Sequence, residues 1–140
     1  MAVVDASVLI KAFVEELGST RAAHVLGTVD PLHAPGHALA EVAEVLLRKS
    51  RRGEFDGRRI GEAIFAVMNR TETVDLLDII VDAVQIAEAI ECSVYDALYL
   101  ATARSLDTVV ITCDQRLMRK AAGSPYERFV APLEAWGHGP

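Results

Sequence analysis

The amino-acid sequence predicts a single α/β domain whose mostly parallel sheet is covered by helices on both faces. Short apolar runs alternate with helix-period segments along the whole chain, which is the pattern of strands joined by crossover helices. The 140 residues contain no linker, repeat or low-complexity tract and match the size of one ordinary domain. Hydrophobic residues make up 51% and charged residues 24%, which excludes disorder, and with aromatics at 6% the core falls to Ala, Val, Leu and Ile.

The elements follow in chain order. Ala2–Val4 is a short apolar run ending at Asp5, the mark of a buried strand. Residues 7–15 read as a first helix, and Ser19 is placed to cap a second over residues 20–29. Asp30-Pro31 makes a turn before a weak strand at residues 32–34. Residues 37–52 carry Leu39, Val42, Ala43, Leu46 and Leu47 at helical spacing, and Gly53 stops the run. Asp56 caps a helix to about Arg70, with Ile60, Ile64, Val67 and Met68 on one side. A strand is expected at residues 73–77. The next helix, residues 79–91, turns Ile79, Ala83, Ile86, Ala87 and Ile90 inward.

Ser93 caps a helix over residues 94–106. The β-branched run Thr108–Thr112 is the strongest strand in the chain. Asp114 opens a helix to about Ala122, and residues 127–130 read as a last short strand. Cys92 and Cys113 are too few for a disulfide scaffold and read as small buried hydrophobes of a reducing compartment.

The longest apolar stretch, residues 76–90, is interrupted by Asp78, Asp82, Gln85 and Glu88, so no membrane span is expected. The start of the chain lacks a basic n-region, so no signal peptide is expected either, and the location expected is the cytoplasm. The net charge of −6 argues against nucleic-acid binding by the chain as a whole. The distribution argues otherwise. Arg48, Lys49, Arg51, Arg52, Arg58 and Arg59 make residues 48–59 +4, leaving −10 on the remainder. That segment is either a solvated helix end or an anion-binding patch.

In open parallel sheets, ligands bind beyond the carboxyl ends of the strands. Asp5 and Asp114 sit at two such ends, where each is also a good helix N-cap. Asp96 lies in the nearly uncharged segment SVYDALYLATA, on a stripe with Leu100 and Ala103, and a carboxylate beside an apolar face needs a partner or a metal. Glu41 shares a helix face with Glu44. Converging carboxylates repel without a cation, and hard divalent ions such as Mg²⁺ prefer oxygen ligands. A site of this kind suits phosphoryl chemistry, because the metal polarises the phosphoryl oxygen and lowers the pKa of water. Ser7 and Thr112 stand beside Asp5 and Asp114, with hydroxyls able to orient a carboxylate or a water.

Other chemistries lack their residues. There is no G-x-S-x-G, no Walker A and no G-x-G-x-x-G, and neither cysteine has a histidine nearby in sequence. For zinc, His24, His33, His37 and His138 offer only the His37–Glu41 spacing, a poor set by itself.

Four segments, VVDASVLI, ALAEVAEVLLR, SVYDALYLATA and VVITCDQRL, resemble in order and spacing the acidic blocks of the PIN-domain family, and in particular the VapC ribonuclease toxins of bacterial toxin–antitoxin pairs. The resemblance covers essentially the whole chain. It implies a five-stranded parallel sheet between helices, with metal-binding and catalytic acids at Asp5, Glu41, Asp96 and Asp114 and supporting hydroxyls at Ser7 and Thr112. Many relatives carry Asn where this chain has Glu44, which leaves open whether Glu41 or Glu44 faces the metal. It further implies a Mg²⁺- or Mn²⁺-dependent endoribonuclease, a homodimer, and a small VapB-type antitoxin as partner. RNA phosphates are then expected on the basic residues of 48–59 and on Arg116. The alternatives are a PIN-like RNA-binding module without catalysis and a housekeeping nuclease without an antitoxin.

Overall fold

A computed structural model describes residues 1–137, and His138 lies outside them. Five strands form one all-parallel sheet: β1 (Ala2–Val4), β2 (Leu32–Pro35), β3 (Glu72–Val74), β4 (Val110–Thr112) and β5 (Val130–Pro132). Seven helices join them: α1 (Ala6–Lys11), α2 (Ser19–Thr28), α3 (Ala38–Arg51), α4 (Ile60–Arg70), α5 (Leu76–Ile90), α6 (Val94–Ser105) and α7 (Gln115–Ala121). The strand order is β3-β2-β1-β4-β5. The chain winds outward in one direction from β1 and in the other from β4, so the topological switch lies between β1 and β4.

Strand alternation divides the core in two. Ala2, Val4, Leu32 and Ile111 face α1–α4, where Leu9, Val25, Leu46 and Val67 pack. Val3, Ala34 and Val110 face the other way, onto Ile79, Ile86 and Leu100 of α5 and α6. Both faces of the central strands are apolar because both are covered. The residues 97–103 of α6 are all buried, so this helix is enclosed on every side and Asp96 sits at its mouth.

The sequence reading needs six local corrections. The first helix ends at Lys11 rather than residue 15, because the chain turns there to reach Gly18, whose φ of 92° suits a residue without Cβ. Gly18 is also the N-cap of α2. Ser19 instead ties down the preceding loop, donating to the Val14 carbonyl and accepting from the Glu16 N–H. β3 is Glu72–Val74 because Asp75 caps α5 at Leu77 N–H and starts that helix early. Residues 127–129 form a 3₁₀ turn and the last strand follows it. Both cysteines are half-buried rather than buried, and Met68 is 52% exposed rather than packed. Among the described residues no helix is long and apolar enough to cross a membrane.

Candidate active site

The β1–β4 register pairs Val4 with Ile111, which brings the next residues, Asp5 and Thr112, side by side at the strand ends. Asp5 is 4% exposed. Its Oδ1 accepts from the Ser7 hydroxyl at 2.5 Å and from Val8 N–H at 3.2 Å, and its Oδ2 accepts from the Thr112 hydroxyl. Asp5 therefore caps α1 and is held in place by both hydroxyls. Those hydroxyls also accept from backbone: Ser7 across the switch point from Cys113 N–H at 3.2 Å, and Thr112 locally from Asp114 N–H at 2.9 Å. Burial pushes the Asp5 carboxyl up to about 6, although the hydrogen bonds from Ser7, Thr112 and Val8 oppose this, and the charge of Asp114 adds to the rise.

Asp96 stands in the first turn of α6, whose N-cap Ser93 accepts from its N–H at 3.0 Å. Its side chain is 20% exposed, and Arg116 approaches it to 3.5 Å from α7. Burial raises its carboxyl, and Asp114 raises it further against the opposing pull of Arg116. Asp114 is thus the common electrostatic neighbour of Asp5 and Asp96. One of its oxygens caps α7 through Arg116 N–H and Leu117 N–H.

Glu41 reaches the same corner from α3. Its Oε2 accepts from the Tyr99 hydroxyl at 3.2 Å, and that hydroxyl in turn accepts from Ala6 N–H at 3.3 Å. His37 Nε2 lies 2.9 Å from the other Glu41 oxygen. Glu44 is 61% exposed and approaches Arg48 at 3.9 Å, one turn farther out. The Tyr99 bridge ties Glu41, and not Glu44, to the backbone next to Asp5.

Tyr99 and His37 are functional-site residues that sequence reasoning missed. The signal for Tyr99 was present: it falls three residues after Asp96 on a buried helix, and a buried tyrosine hydroxyl needs a partner. Burial, then the charges of Glu41 and Asp5, raise its phenol, so it stays protonated and donates. His37 gave no comparable signal beyond its spacing from Glu41.

The basic residues do not gather at the acids as a group. Arg48 is close to Glu44 and Arg116 to Asp96. Lys49 is drawn toward Glu16 and Glu54, Arg52 toward Glu54, and Arg58 is bound by Asp56. Arg59 packs over the Phe55 ring. Arg51 and Arg52 lie at the far end of α3, about 15 Å along its axis from Glu41.

Carboxylates and hydroxyls are hard oxygen donors, which fit a divalent cation of the magnesium class. Among the described residues no three His, Cys, Asp or Glu side chains form a ready metal cage. An ion that takes one or two carboxylates and keeps several waters does not require one.

A strand-end carboxylate at the switch point, with further acids arriving from α3, α6 and α7, defines an acidic-site α/β nuclease-like fold. The PIN domain family profile matches residues 2–123, and the chain belongs to that family. It is 29% identical over 121 residues to ribonuclease VapC3 of Pyrobaculum aerophilum, across 84% of this chain and 92% of that protein. In fold it is similar to the crystal structure of PAE2754 from Pyrobaculum aerophilum, with a TM-score of 0.71 at 19% identity, covering 95% of this chain and 83% of that one. It is similar also to a toxin–antitoxin complex from Klebsiella pneumoniae, with a TM-score of 0.64 at 20% identity, covering 95% and 98%.

Two predictions follow from this geometry. A carboxyl raised from 3.8 to about 6 favours the folded state fully below pH 3.8, and that contribution is lost as pH rises through about 6. Metal-free protein should therefore lose up to about 3 kcal/mol of unfolding free energy across that interval, and Asp5→Asn should flatten this part of the profile. Urea titrations in chelator at several pH values measure both, and identical profiles would contradict the burial argument. Tyr99→Phe leaves Ala6 N–H and Glu41 without their shared partner, and should cost about 1–3 kcal/mol in the same assay.

Proposed function

We propose that the protein is a divalent-metal-dependent endoribonuclease acting as the toxin of a toxin–antitoxin pair. The observation that carries the reading is the carboxylate of Asp5, buried at the switch point beside Asp114; burial above all raises Asp5 and Asp96, and the charge of Asp114 adds to both. Close carboxylates of like charge are a poor structural device and a good cation site. The likeness to ribonuclease VapC3 supports the reaction, and the likeness to a toxin–antitoxin complex supports a VapB-type antitoxin as partner.

Asp5 and Asp96 would be the main holders of Mg²⁺ or Mn²⁺, with Glu41 and Asp114 completing the set directly or through waters. The cation supplies charge neutralisation at the phosphoryl oxygens and lowers the pKa of water. The chain's own residues do the rest. Ser7 and Thr112 fix the rotamer of Asp5, and Tyr99 fixes Glu41 relative to it. A water oxygen attacks phosphorus in line, its P–O bond forming as the bond to the 3′-oxygen breaks. The departing oxygen takes up a proton, leaving a 3′-hydroxyl and a 5′-phosphate. Arg116, 67% exposed beside Asp96, would be free to meet a phosphate once a cation held that carboxylate. Arg48, Arg51, Arg52, Arg58 and Arg59 would add a salt-dependent attraction for RNA farther out, with Lys49 the least available of the segment because it is 20% exposed between two glutamates.

The decisive experiment compares wild type with Asp96→Asn. The variant should abolish RNA cleavage. Without metal it should melt at the same temperature or higher, because one repelling charge is gone and an ion pair with an exposed arginine contributes little. Mg²⁺ should raise the wild-type melting temperature more than the variant's. A less stable apo variant with an unchanged metal response would make Asp96 structural and overturn the assignment.

A homodimer fits the exposed apolar residues on two helices, Phe65 and Met68 on α4 and Leu77, Val81 and Val84 on α5. Sedimentation at micromolar concentration should give about 30 kDa, twice the 15.2 kDa chain. A monomer without antitoxin would contradict it.

A further inference from the structure

Beside the acids, α3 and the start of α6 enclose an open groove of about 380 Å³, lined by His37, Ala40, Glu41, Glu44, Val45, Arg48 and Tyr95. Its walls are mostly apolar, although it adjoins the most charged corner of the molecule. Three rings form a tier along it. Tyr99 is buried, the His37 ring lies 4.9 Å from it, and Tyr95 lies 6.1 Å beyond His37. Tyr95 is 66% exposed, so the outermost ring presents a free face.

The His37 side chain is 10% exposed, and neither ring nitrogen makes a hydrogen bond among the described residues. Its Nε2 lies near Glu41 but is not aligned with it. The buried His37 ring backs the groove between Tyr99 and the exposed Tyr95, so Tyr95 rests on a packed support. Arg48, 54% exposed, is the cation of the groove, and only a long, exposed contact of 3.9 Å to Glu44 competes for it.

We propose that this groove is a nucleobase subsite, with Tyr95 as the stacking platform for the unpaired base next to the scissile phosphate. The inference rests on the nuclease reading, and it adds where the substrate strand lies. Tyr95 immediately precedes Asp96, and Glu41 belongs both to the groove and to the acidic site. A phosphodiester over the acids therefore has a flanking nucleotide within reach of the ring. Aromatic side chains bind splayed single-stranded bases by their faces, while phosphates go to cations such as Arg48. A duplex keeps its bases stacked and cannot use such a platform.

The test uses the full chain in the cleavage-blocked Asp96→Asn background. Fluorescence anisotropy measures the affinity of a short single-stranded RNA and of versions with one nucleotide at a time made abasic. Tyr95→Phe should bind like its parent. Tyr95→Leu should lose about 5- to 150-fold. At one RNA position, abasic substitution should weaken the parent and erase its difference from Tyr95→Leu. A Tyr95→Leu loss that persists on every abasic RNA would overturn the platform. So would unchanged RNA affinity, including the case where the variant instead loses affinity for an antitoxin, which would assign the ring to a protein partner. A parent that cleaves no RNA before Asp96 is altered, and binds none, would remove the nuclease reading and the subsite together. Tyr95 is exposed, and the Phe variant separates loss of the ring from loss of fold.

Discussion

The buried Asp5 carboxylate is the constraint on which the rest of the site depends. A carboxylate with 4% exposure is stable only when its oxygens are satisfied, and here the donors come from both sides of the switch point. Ser7 and Val8 belong to the turn after β1, whereas Thr112 ends β4. Because Ser7 and Thr112 also accept from Cys113 and Asp114, the two strand ends are bound to each other through one acid. The same bonds that make burial tolerable orient Asp5 and carry Asp114 next to it. The remaining cost of burial appears as a carboxyl raised to about 6.

Tyr99 extends this arrangement to the fourth acid. Its hydroxyl is an acceptor for Ala6 N–H and a donor to Glu41, so one atom joins α1, α3 and α6. A phenylalanine would fill the same volume and lose that coupling. Glu44, with no such tether, points toward Arg48 and solvent. The distinction between the two glutamates therefore comes from a hydroxyl on another helix, not from anything on α3.

Two of the acids are also helix caps. Asp5 caps α1 and Asp114 caps α7, as their places at strand-to-helix junctions predict. Capping uses one oxygen of Asp114 on backbone N–H groups and fixes its side chain without consuming its charge. The helix dipole favours a carboxylate at these positions, which offsets part of the repulsion among the acids. Structural and chemical uses of the same residue are compatible because the cap sets orientation and the remaining lone pairs are free for a cation.

The sequence by itself determined the class of fold, the order of its elements and the places where carboxylates follow apolar strands. Those are local properties: β-branched runs such as Val109 to Thr112, helical spacing along residues 37–52, and carboxylates where apolar runs end. It misplaced the end of α1, the role of Ser19 and the span of the last strand, because loops and caps are settled by which carbonyl or N–H lies nearby in space. Only the tertiary structure decided that Tyr99 tethers Glu41 and not Glu44, and that His37 packs, tilted, between two tyrosines. It alone also showed that much of the basic segment is engaged by Glu16, Glu54 and Asp56. Each of these depends on contacts between residues distant in sequence or on the competition among neighbouring charges. Periodicity reports which way a side chain faces, whereas only packing determines what it meets there.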